Sequence, residues 1–222
     1  MNRGEFRAQL RGILANTTVW SDAALNGWID EGLADLSIPF PRVYSARISC
    51  TAGVQLYAFG AYPAFAGLQS ILEVEYPYEQ TPRRLLLPGR ESSSTFDGSP
   101  AYDLRGEPPT HVVLGESPQD GEEICLTFNA DHPAPADDLA ELTLPESCLE
   151  PLQQFVVWKA TQALEMDEAA DPDTTSLLLS MLGGNAGRAE RIYTNMVRAI
   201  QSGQAPGEYG GPWAMDESDR VY

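Results

Sequence analysis

The sequence predicts an α+β fold: a helical bundle of four helices from both chain ends, with an inserted antiparallel β-rich module and an extended C-terminal arm. Apolar residues recur at helical spacing through residues 1–42 and 145–201. Through residues 43–144 apolar and polar residues alternate, and Gly and Pro recur at short intervals. Residues 202–222 are rich in Gly and polar residues and cannot form a packed core of their own. These four segments are the predicted domains.

The N-terminal domain, residues 1–42, predicts two amphipathic helices. The first covers about residues 5–15, and its apolar face is formed by Phe6, Leu10, Ile13 and Leu14. Another face of the same helix carries Arg3, Arg7 and Arg11. Ser21 is placed to cap the second helix, because its hydroxyl can accept a hydrogen bond from the first turn. Pro39 and Pro41 end that helix, since proline lacks the N–H that a helix requires.

The middle domain, residues 43–144, predicts short antiparallel strands rich in β-branched and aromatic residues. The predicted strands are Val43–Cys50, Gln55–Phe59, Ile71–Tyr78, Arg83–Leu87, Tyr102–Leu104, His111–Gly115 and Glu123–Phe128. The turn residues Pro118–Gly121 lie between the last two, which are therefore predicted to pair as a hairpin. Gly89–Pro100 has almost nothing apolar to bury and is predicted to be a mobile loop.

The third domain, residues 145–201, returns to helical spacing. A broad apolar stripe predicts a third helix that begins after Pro145 and ends near Met166. Asp173 or Thr174 can cap a fourth helix, which continues to about Ile200.

The charge of the chain disfavours close binding of DNA. Against 14 basic residues the chain has 32 acidic ones, a formal net charge of -18, and contacts to phosphate dominate affinity for nucleic acids. No basic residue occurs between Arg105 and Lys159. Acidic residues accumulate in that segment: Glu116, Asp120, Glu122, Glu123, Asp131, Asp137, Asp138 and Glu141. Two interpretations stay open, a solvated acidic face and a surface that repels nucleic acid or meets a basic partner.

The three cysteines are widely spaced and form no C-x-x-C pair, so they are predicted to be reduced and buried. No apolar run approaches the roughly 18 residues that cross a bilayer. The first residues also lack the apolar run of a secretory signal. We therefore expect no membrane association, and we expect the protein to stay in the compartment where it is made.

Catalytic motifs are lacking in the sequence. It has no G-x-S-x-G elbow, and its glycine-rich run at residues 183–187 lacks the lysine of a phosphate-binding loop. One alternative is a divalent metal site, and hence a metal-dependent hydrolase or a carbohydrate-acting protein, formed by Asp131, His132, Asp137 and Asp138. The proline-rich residues 133–136 argue against it, because they predict an extended connector. We predict that the protein is not an enzyme and has no catalytic, cofactor or metal site.

The C-terminal arm, residues 202–222, carries large side chains that are costly to leave in water: Tyr209, Trp213, Met215, Val221 and Tyr222. Aromatic residues on a flexible segment are typical of partner binding. A disordered tail is the alternative, since chain termini are often untethered.

This layout resembles the head-to-tail connector, or adaptor, proteins of tailed bacteriophages. Two helix starts carry the resemblance, Trp20-Ser21-Asp22 and Leu144-Pro145-Glu146. It is also carried by the apolar stripe of the second helix and by the segments before the last helices: Leu25, Trp28, Ile29 and Leu33, then Tyr102–Gly106, Val112–Leu114, Ser117-Pro118 and Glu123–Phe128.

The resemblance implies a structural virion protein of the neck, made in the host cytoplasm and assembled as a homo-oligomeric ring of about twelve copies. Such a ring docks beneath the portal protein, binds tail or tail-completion proteins, and continues the DNA channel without specific DNA binding. Tyr209, Trp213 and Tyr222 are then candidates to contact the portal. Ring packing is expected to involve the first, third and fourth helices, with Arg188, Arg191 and Arg198 pairing with acidic neighbours.

Other interpretations of these features stay open. The three arginines can equally form an ordinary solvated helix face. Among neck proteins, a stopper or a tail terminator is the alternative to an adaptor, and either one binds the tail but not the portal.

Overall fold

A computed structural model describes residues 1–14, 20–93, 95–170 and 176–203. The chain divides into two compact units. The helical unit combines residues 1–39 with the chain from residue 133 onward, and the β unit is residues 40–132. The described residues contain four α-helices and two β-sheets, so the predicted mixed α+β class is confirmed.

The first two helices are α1, Arg3–Ile13, and α2, Asp22–Ser37. Helix α1 begins earlier than predicted because Asn2 caps it. The Asn2 side chain accepts a hydrogen bond from the Glu5 N–H, and the Glu5 carboxylate accepts one from the Asn2 N–H, which forms a capping box. Ser21 caps α2 as predicted, since its hydroxyl accepts a bond from the N–H of Ala24.

The last two helices are α3, Leu149–Ala170, and α4, Ser176–Gln201. A single 3-10 turn, Glu146–Cys148, leads into α3. Helix α3 continues four residues beyond its predicted end near Met166. The predicted caps of α4, Asp173 and Thr174, lie outside the described residues.

Aromatic residues join α2, α3 and α4 within the helical unit. The Tyr193 ring lies 5.3 Å from the Phe155 ring and stacks on Trp158 at 6.3 Å between centroids. The Tyr193 hydroxyl donates a hydrogen bond to Asp35 of α2, and burial together with this bond raises the pKa of Tyr193. Tyr193, which lies on α4, therefore contacts side chains of α2 and α3. Burying its hydroxyl costs little free energy, because the hydroxyl has a hydrogen-bond partner.

Helix α1 binds the segment that brings the chain back into the helical unit. The N–H of Arg3 donates to the carbonyl of Ala140, and the N–H of Gly4 donates to that of Asp138, at 3.1 and 2.9 Å. Leu142 donates in turn to the carbonyl of Met1. The first N–H groups of α1, which have no partner inside the helix, are thus satisfied by the returning chain.

The arginines of α1 strengthen this attachment. Arg7 binds Asp138 with two hydrogen bonds, and Arg3 donates to the carbonyl of Pro135 at 2.9 Å. Arg11 pairs with Asp22 at the start of α2. Only 12%, 14% and 22% of the Arg3, Arg7 and Arg11 side chains are exposed, so this face of α1 is a contact surface.

The β unit contains seven strands in two sheets. They are β1 Arg42–Ser49, β2 Leu56–Ala58, β3 Leu68–Glu75, β4 Leu87–Pro88, β5 Ala101–Arg105, β6 His111–Leu114 and β7 Glu123–Ala130. One sheet has the order β1-β7-β3 and the other β2-β6-β5-β4. All pairs are antiparallel except β4 with β5.

The predicted hairpin of His111–Gly115 with Glu123–Phe128 is wrong. Strand β6 pairs with β2 and β5, whereas β7 pairs with β1 and β3, so the two strands are inner strands of different sheets. Turn residues between two strands indicate a chain reversal, but they do not specify which strands pair. Strand β7 instead lies between β1 and β3, and it buries Ile124, Leu126 and Phe128 on one face.

The described residues of Gly89–Pro100 form neither helix nor strand, as predicted for a loop, but the segment buries more than predicted. Phe96 is only 6% exposed. The N–H of Phe96 donates to the carbonyl of Ser93, and Gly98 donates to the carbonyl of Gly115. One buried aromatic side chain therefore attaches a segment that is otherwise polar.

Gly32 of α2 lies directly against side chains of α3, which gives the first prediction. A Cβ atom on Gly32 comes within 2.5 Å of Leu152 Cδ1 and 2.9 Å of Phe155 Cδ1. Replacing Gly32 with Ala should reduce the free energy of unfolding by about 1–2 kcal/mol, measured by urea denaturation. Gly27 lies in the same helix with no atom within 4 Å of its Cβ position. Gly27→Ala should therefore raise stability by about 0.5–1 kcal/mol, and equal stability of the two variants contradicts this packing.

A second prediction concerns the Arg7–Asp138 pair. Hydrogen bonding to Arg7 lowers the pKa of Asp138 below its usual value, so the pair stabilises the folded state while Asp138 is ionised. Asp138→Asn should destabilise the helical unit at neutral pH. Urea unfolding, monitored by the helix signal in circular dichroism, measures this change.

The pH dependence of this difference follows from the sign of the pKa shift. An aspartate in an unfolded chain titrates near about pH 4, so the difference from the natural protein should shrink as pH falls below that value and through the lower folded pKa. Asp97→Asn is the matched control, because the Asp97 carboxylate forms no ion pair within the described residues. A difference that persists undiminished at low pH contradicts the role of the ion pair.

Candidate assembly surfaces

The face of α4 that carries arginines is exposed. Arg188, Arg191 and Arg198 are all exposed, and their spacing places them within one sector of the helix. Ala189, Tyr193 and other buried residues lie largely on the opposite side. Arg191 and Arg198 form no ion pair with any described residue. The three arginines thus form a basic surface with at least two guanidinium groups open to a partner.

The predicted portal-contacting residues Tyr209, Trp213 and Tyr222 lie outside the described residues. The described chain ends just after α4. There Ser202 donates to the carbonyl of Arg198, and Gly203, with φ +74°, donates to that of Ile200. This closing turn satisfies carbonyls at the end of α4 and marks where the arm begins.

The residues of the alternative metal site have separate partners. His132 is buried, with Nε2 2.8 Å from the carbonyl oxygen of Phe40, and burial lowers its pKa. Asp131 accepts a hydrogen bond from Gln69, and Asp137 accepts bonds from the N–H groups of Leu139 and Ala140. Asp138 binds Arg7, as described above.

Each of these four residues is thus used in a hydrogen bond or ion pair within its own unit. His132 and Asp131 belong to the β unit, and Asp137 and Asp138 belong to the helical unit. Across the described parts of the chain, no group of three or more His, Cys, Asp or Glu side chains is arranged to hold a metal ion. The other histidine, His111, has Nδ1 2.9 Å from the hydroxyl oxygen of Thr110.

The acidic run between residues 116 and 141 is largely used in local contacts. Glu116 pairs with Arg84, and Glu123 lies 3.5 Å from a guanidinium nitrogen of Arg47. Glu122 accepts hydrogen bonds from the Tyr76 hydroxyl and from the N–H of Gln119. Burial, with the bond to Glu122, raises the pKa of Tyr76. These contacts favour a folded, partly neutralised face over a free acidic patch.

An open groove of about 670 Å³ lies within the β unit. Aromatic and proline residues dominate its lining: Phe59, Tyr62, Pro63, Phe65, Pro108 and Pro109. Besides the phenol of Tyr62, its ionisable groups are His111 and Asp131, and both of these already have hydrogen-bond partners. Such a lining fits contact with apolar or proline-containing chain, and it places no activated nucleophile.

Sequence reasoning missed two surfaces. One is the arginine face of α1, which is buried against the returning chain. The other is the outer edge of β1, where Val43 and Tyr44 are 61% and 40% exposed. No local signal marks this edge, because Arg42–Ser49 lacks the Lys, Pro and Gly of protected edge strands, as central strands also do.

Residues 1–215 match the profile of the family described as SU10 adaptor protein, which covers most of both units. The chain belongs to the SU10 adaptor protein family. This is a family of phage head-to-tail adaptors, so the resemblance seen in the sequence is confirmed.

Membership in the SU10 adaptor family identifies a phage structural protein that interacts with other phage head or tail proteins. A search of curated proteins found no match. Of the helices that the structure describes, none is long and apolar enough to cross a membrane.

Proposed function

We propose that this SU10 adaptor protein forms a ring that joins the capsid portal to the tail and continues the DNA channel. The family match over residues 1–215 is the observation that carries the proposal. A ring of about twelve copies closes by repeating one heterologous interface around an axis. The protein then resides in the virion neck and occupies the host cytoplasm during assembly. Its role is mechanical, without catalysis or cofactor.

The charge of the chain supports a channel that DNA passes without binding. Each copy has a net charge of -18, and contacts to phosphate dominate affinity for nucleic acids. An acidic lumen repels the DNA backbone, so DNA can slide during ejection without specific contacts.

The basic face of α4 supports a role in packing between copies. Arg188, Arg191 and Arg198 are exposed, and acidic residues outnumber basic ones more than twofold in the chain. An acidic surface of a neighbouring copy is therefore the natural partner of this face. Helices α1 and α3 are proposed to contribute to the same ring contact.

The C-terminal arm is proposed to attach the ring to the portal. Tyr209, Trp213 and Tyr222 supply aromatic side chains on a segment that begins after the closing turn at Gly203. Aromatic residues that become ordered on binding contribute much of the energy of such contacts. The β unit then offers its surface, including the aromatic groove, to a tail-side protein.

Truncation tests the arm. Deletion of residues 204–222 retains Ser202 and Gly203, which close α4, so the thermal unfolding profile should be unchanged. Attachment of the ring to the portal protein of the same phage should be lost, as measured by co-sedimentation and electron microscopy. Tyr209→Ala with Trp213→Ala in the full chain should weaken attachment in the same direction. Unaltered attachment contradicts the arm's role, and rings that bind tail but not portal identify a stopper or tail terminator instead.

Charge reversal tests the α4 face. Arg191→Glu with Arg198→Glu should lower the fraction of rings measured by mass photometry, because two attractive contacts at each junction become repulsive. Arg90→Glu is the matched control, since Arg90 is also exposed and forms no ion pair with any residue the structure describes. If the α4 variant assembles as well as the control, this face does not pack between copies.

A further inference from the structure

Strand β1 is a long sheet edge without protection. It pairs with β7 over all eight residues in one constant register, without a bulge. Pro, Gly and Lys are absent from Arg42–Ser49. Natural proteins usually shorten, bulge, charge or cover such an edge, because its free backbone groups pair readily with another strand.

The ladder identifies which backbone groups of β1 face outward. The N–H of Cys50 donates to the carbonyl of Glu122 at 2.8 Å, which continues the register of β1 with β7. Hydrogen-bonded pairs alternate in an antiparallel ladder, so even-numbered residues of β1 bond to β7. The N–H and C=O groups of Val43, Ser45, Arg47 and Ser49 therefore point away from the sheet. None of them has a backbone partner within the described chain.

The remaining edges of the two sheets are shorter or partly covered. The C-terminal end of β3 is covered, because Leu86 donates to the carbonyl of Val74 and Tyr76 donates to that of Arg84, and the pairing of β3 with β7 shifts register twice between Leu68 and Glu73. Strand β2 has three residues, and β4 has two, one of which is Pro88. Only β1, together with the uncovered residues 68–72 of β3, offers a free edge among the described strands.

The directions of the two free edges suit a head-to-tail arrangement. Strands β1 and β3 each run antiparallel to β7, so they run parallel to each other on opposite sides of one sheet. If the sheet of one copy continues into the next, β1 meets β3 with every copy in the same orientation. Cyclic symmetry requires such a junction between two different surfaces.

The side chains of the two edges are complementary. Strand β1 carries Arg42 and Arg47 and no acidic residue, whereas β3 carries the exposed Glu73 and no basic residue. The other glutamate of β3, Glu75, is buried and pairs with Arg83 within the same chain. The Arg42 guanidinium stacks 4.6 Å from the Tyr44 ring centroid and forms no ion pair with a described residue. Opposite charges on neighbouring strands stabilise a sheet, and like charges destabilise it.

Arg47 and Glu73 also have oppositely charged neighbours within their own chain, but both side chains remain partly exposed. Arg47 has Glu79 and Glu123 within 3.8 and 3.5 Å, yet half of its side chain is exposed. Glu73 lies 3.2 Å from Arg83, and 44% of its side chain is exposed. Each edge also exposes an apolar residue, Val43 at 61% and Leu72 at 47%.

We propose that β1 of one copy pairs with residues 68–72 of β3 in the next copy, so that the three-stranded sheets form a continuous belt around the ring. The proposal rests on the proposed function, because it requires a ring of copies. It adds the surface that joins one β unit to the next.

Substitution at Ser45 tests the belt. Ser45→Pro removes an outward N–H at the centre of the edge, and proline is tolerated on edge strands. Ser45→Ala is the matched control, since both variants lose the 3.0 Å hydrogen bond to the Thr127 hydroxyl but only the first loses the N–H. With folding checked by circular dichroism, Ser45→Pro should raise the protein concentration needed for ring assembly about tenfold relative to Ser45→Ala. Assembly is measured by mass photometry, with and without portal protein.

A charge exchange gives a second measurement, which decides the question if Ser45→Pro does not fold. In a parallel pairing that begins with Arg42 beside Leu68, Arg47 lies beside Glu73. Arg47→Glu and Glu73→Arg should each weaken assembly, and the double variant should recover most of it, because complementarity returns at every junction. Equal assembly of Ser45→Pro and Ser45→Ala, or a double variant weaker than both single variants, overturns the belt while the portal-bound ring stands. If the natural protein forms no ring even with portal protein, the proposed function fails and the belt fails with it.

Discussion

The attachment of the returning chain to helix α1 is the contact on which the helical unit depends. The chain leaves this unit at Pro39 and re-enters it at Pro133, so the ends of a long excursion must be held together. Closing such a loop costs entropy, which local contacts must offset. The N–H groups of α1 and the two hydrogen bonds from Arg7 to Asp138 do this at the point of return. Helices α3 and α4 come after this point in the chain, so the position of their exposed faces depends on the attachment.

The sequence allowed the helices to be predicted because their signals are local. Ser21 caps α2 through a neighbour three residues away, and apolar spacing alone indicates α3. The partner of Arg7 lies 131 residues away, so no local pattern could show that the arginine face of α1 is buried. The hairpin prediction failed for the same reason. Turn residues near Pro118 indicate a reversal, but β7 pairs with β1, which lies about 80 residues earlier in the chain, and no local pattern shows this pairing.

The candidate surfaces also differ in whether local or long-range contacts determine them. The exposure of Arg191 and Arg198 follows from helical spacing, which a reader of the sequence can evaluate. The free edge of β1 could not be predicted, because a strand is at an edge only in relation to the order of the whole sheet. With β7 at the centre of the sheet, β1 and β3 are its two edges. Basic residues then lie on one edge and acidic residues on the other, so the edges of neighbouring copies can attract.

Charge is the constraint that the proposed ring must satisfy. Copies that each carry a net charge of -18 repel one another, but salt screens exposed charges beyond about 8 Å at physiological ionic strength. The charges close to a junction therefore decide whether neighbouring copies attract. Arg42 on β1 and Arg191 and Arg198 on α4 are exposed or partly exposed basic residues without an ion pair among the described residues. An acidic chain that leaves these arginines unpaired can attract its neighbours at the junctions while the rest of its surface repels DNA.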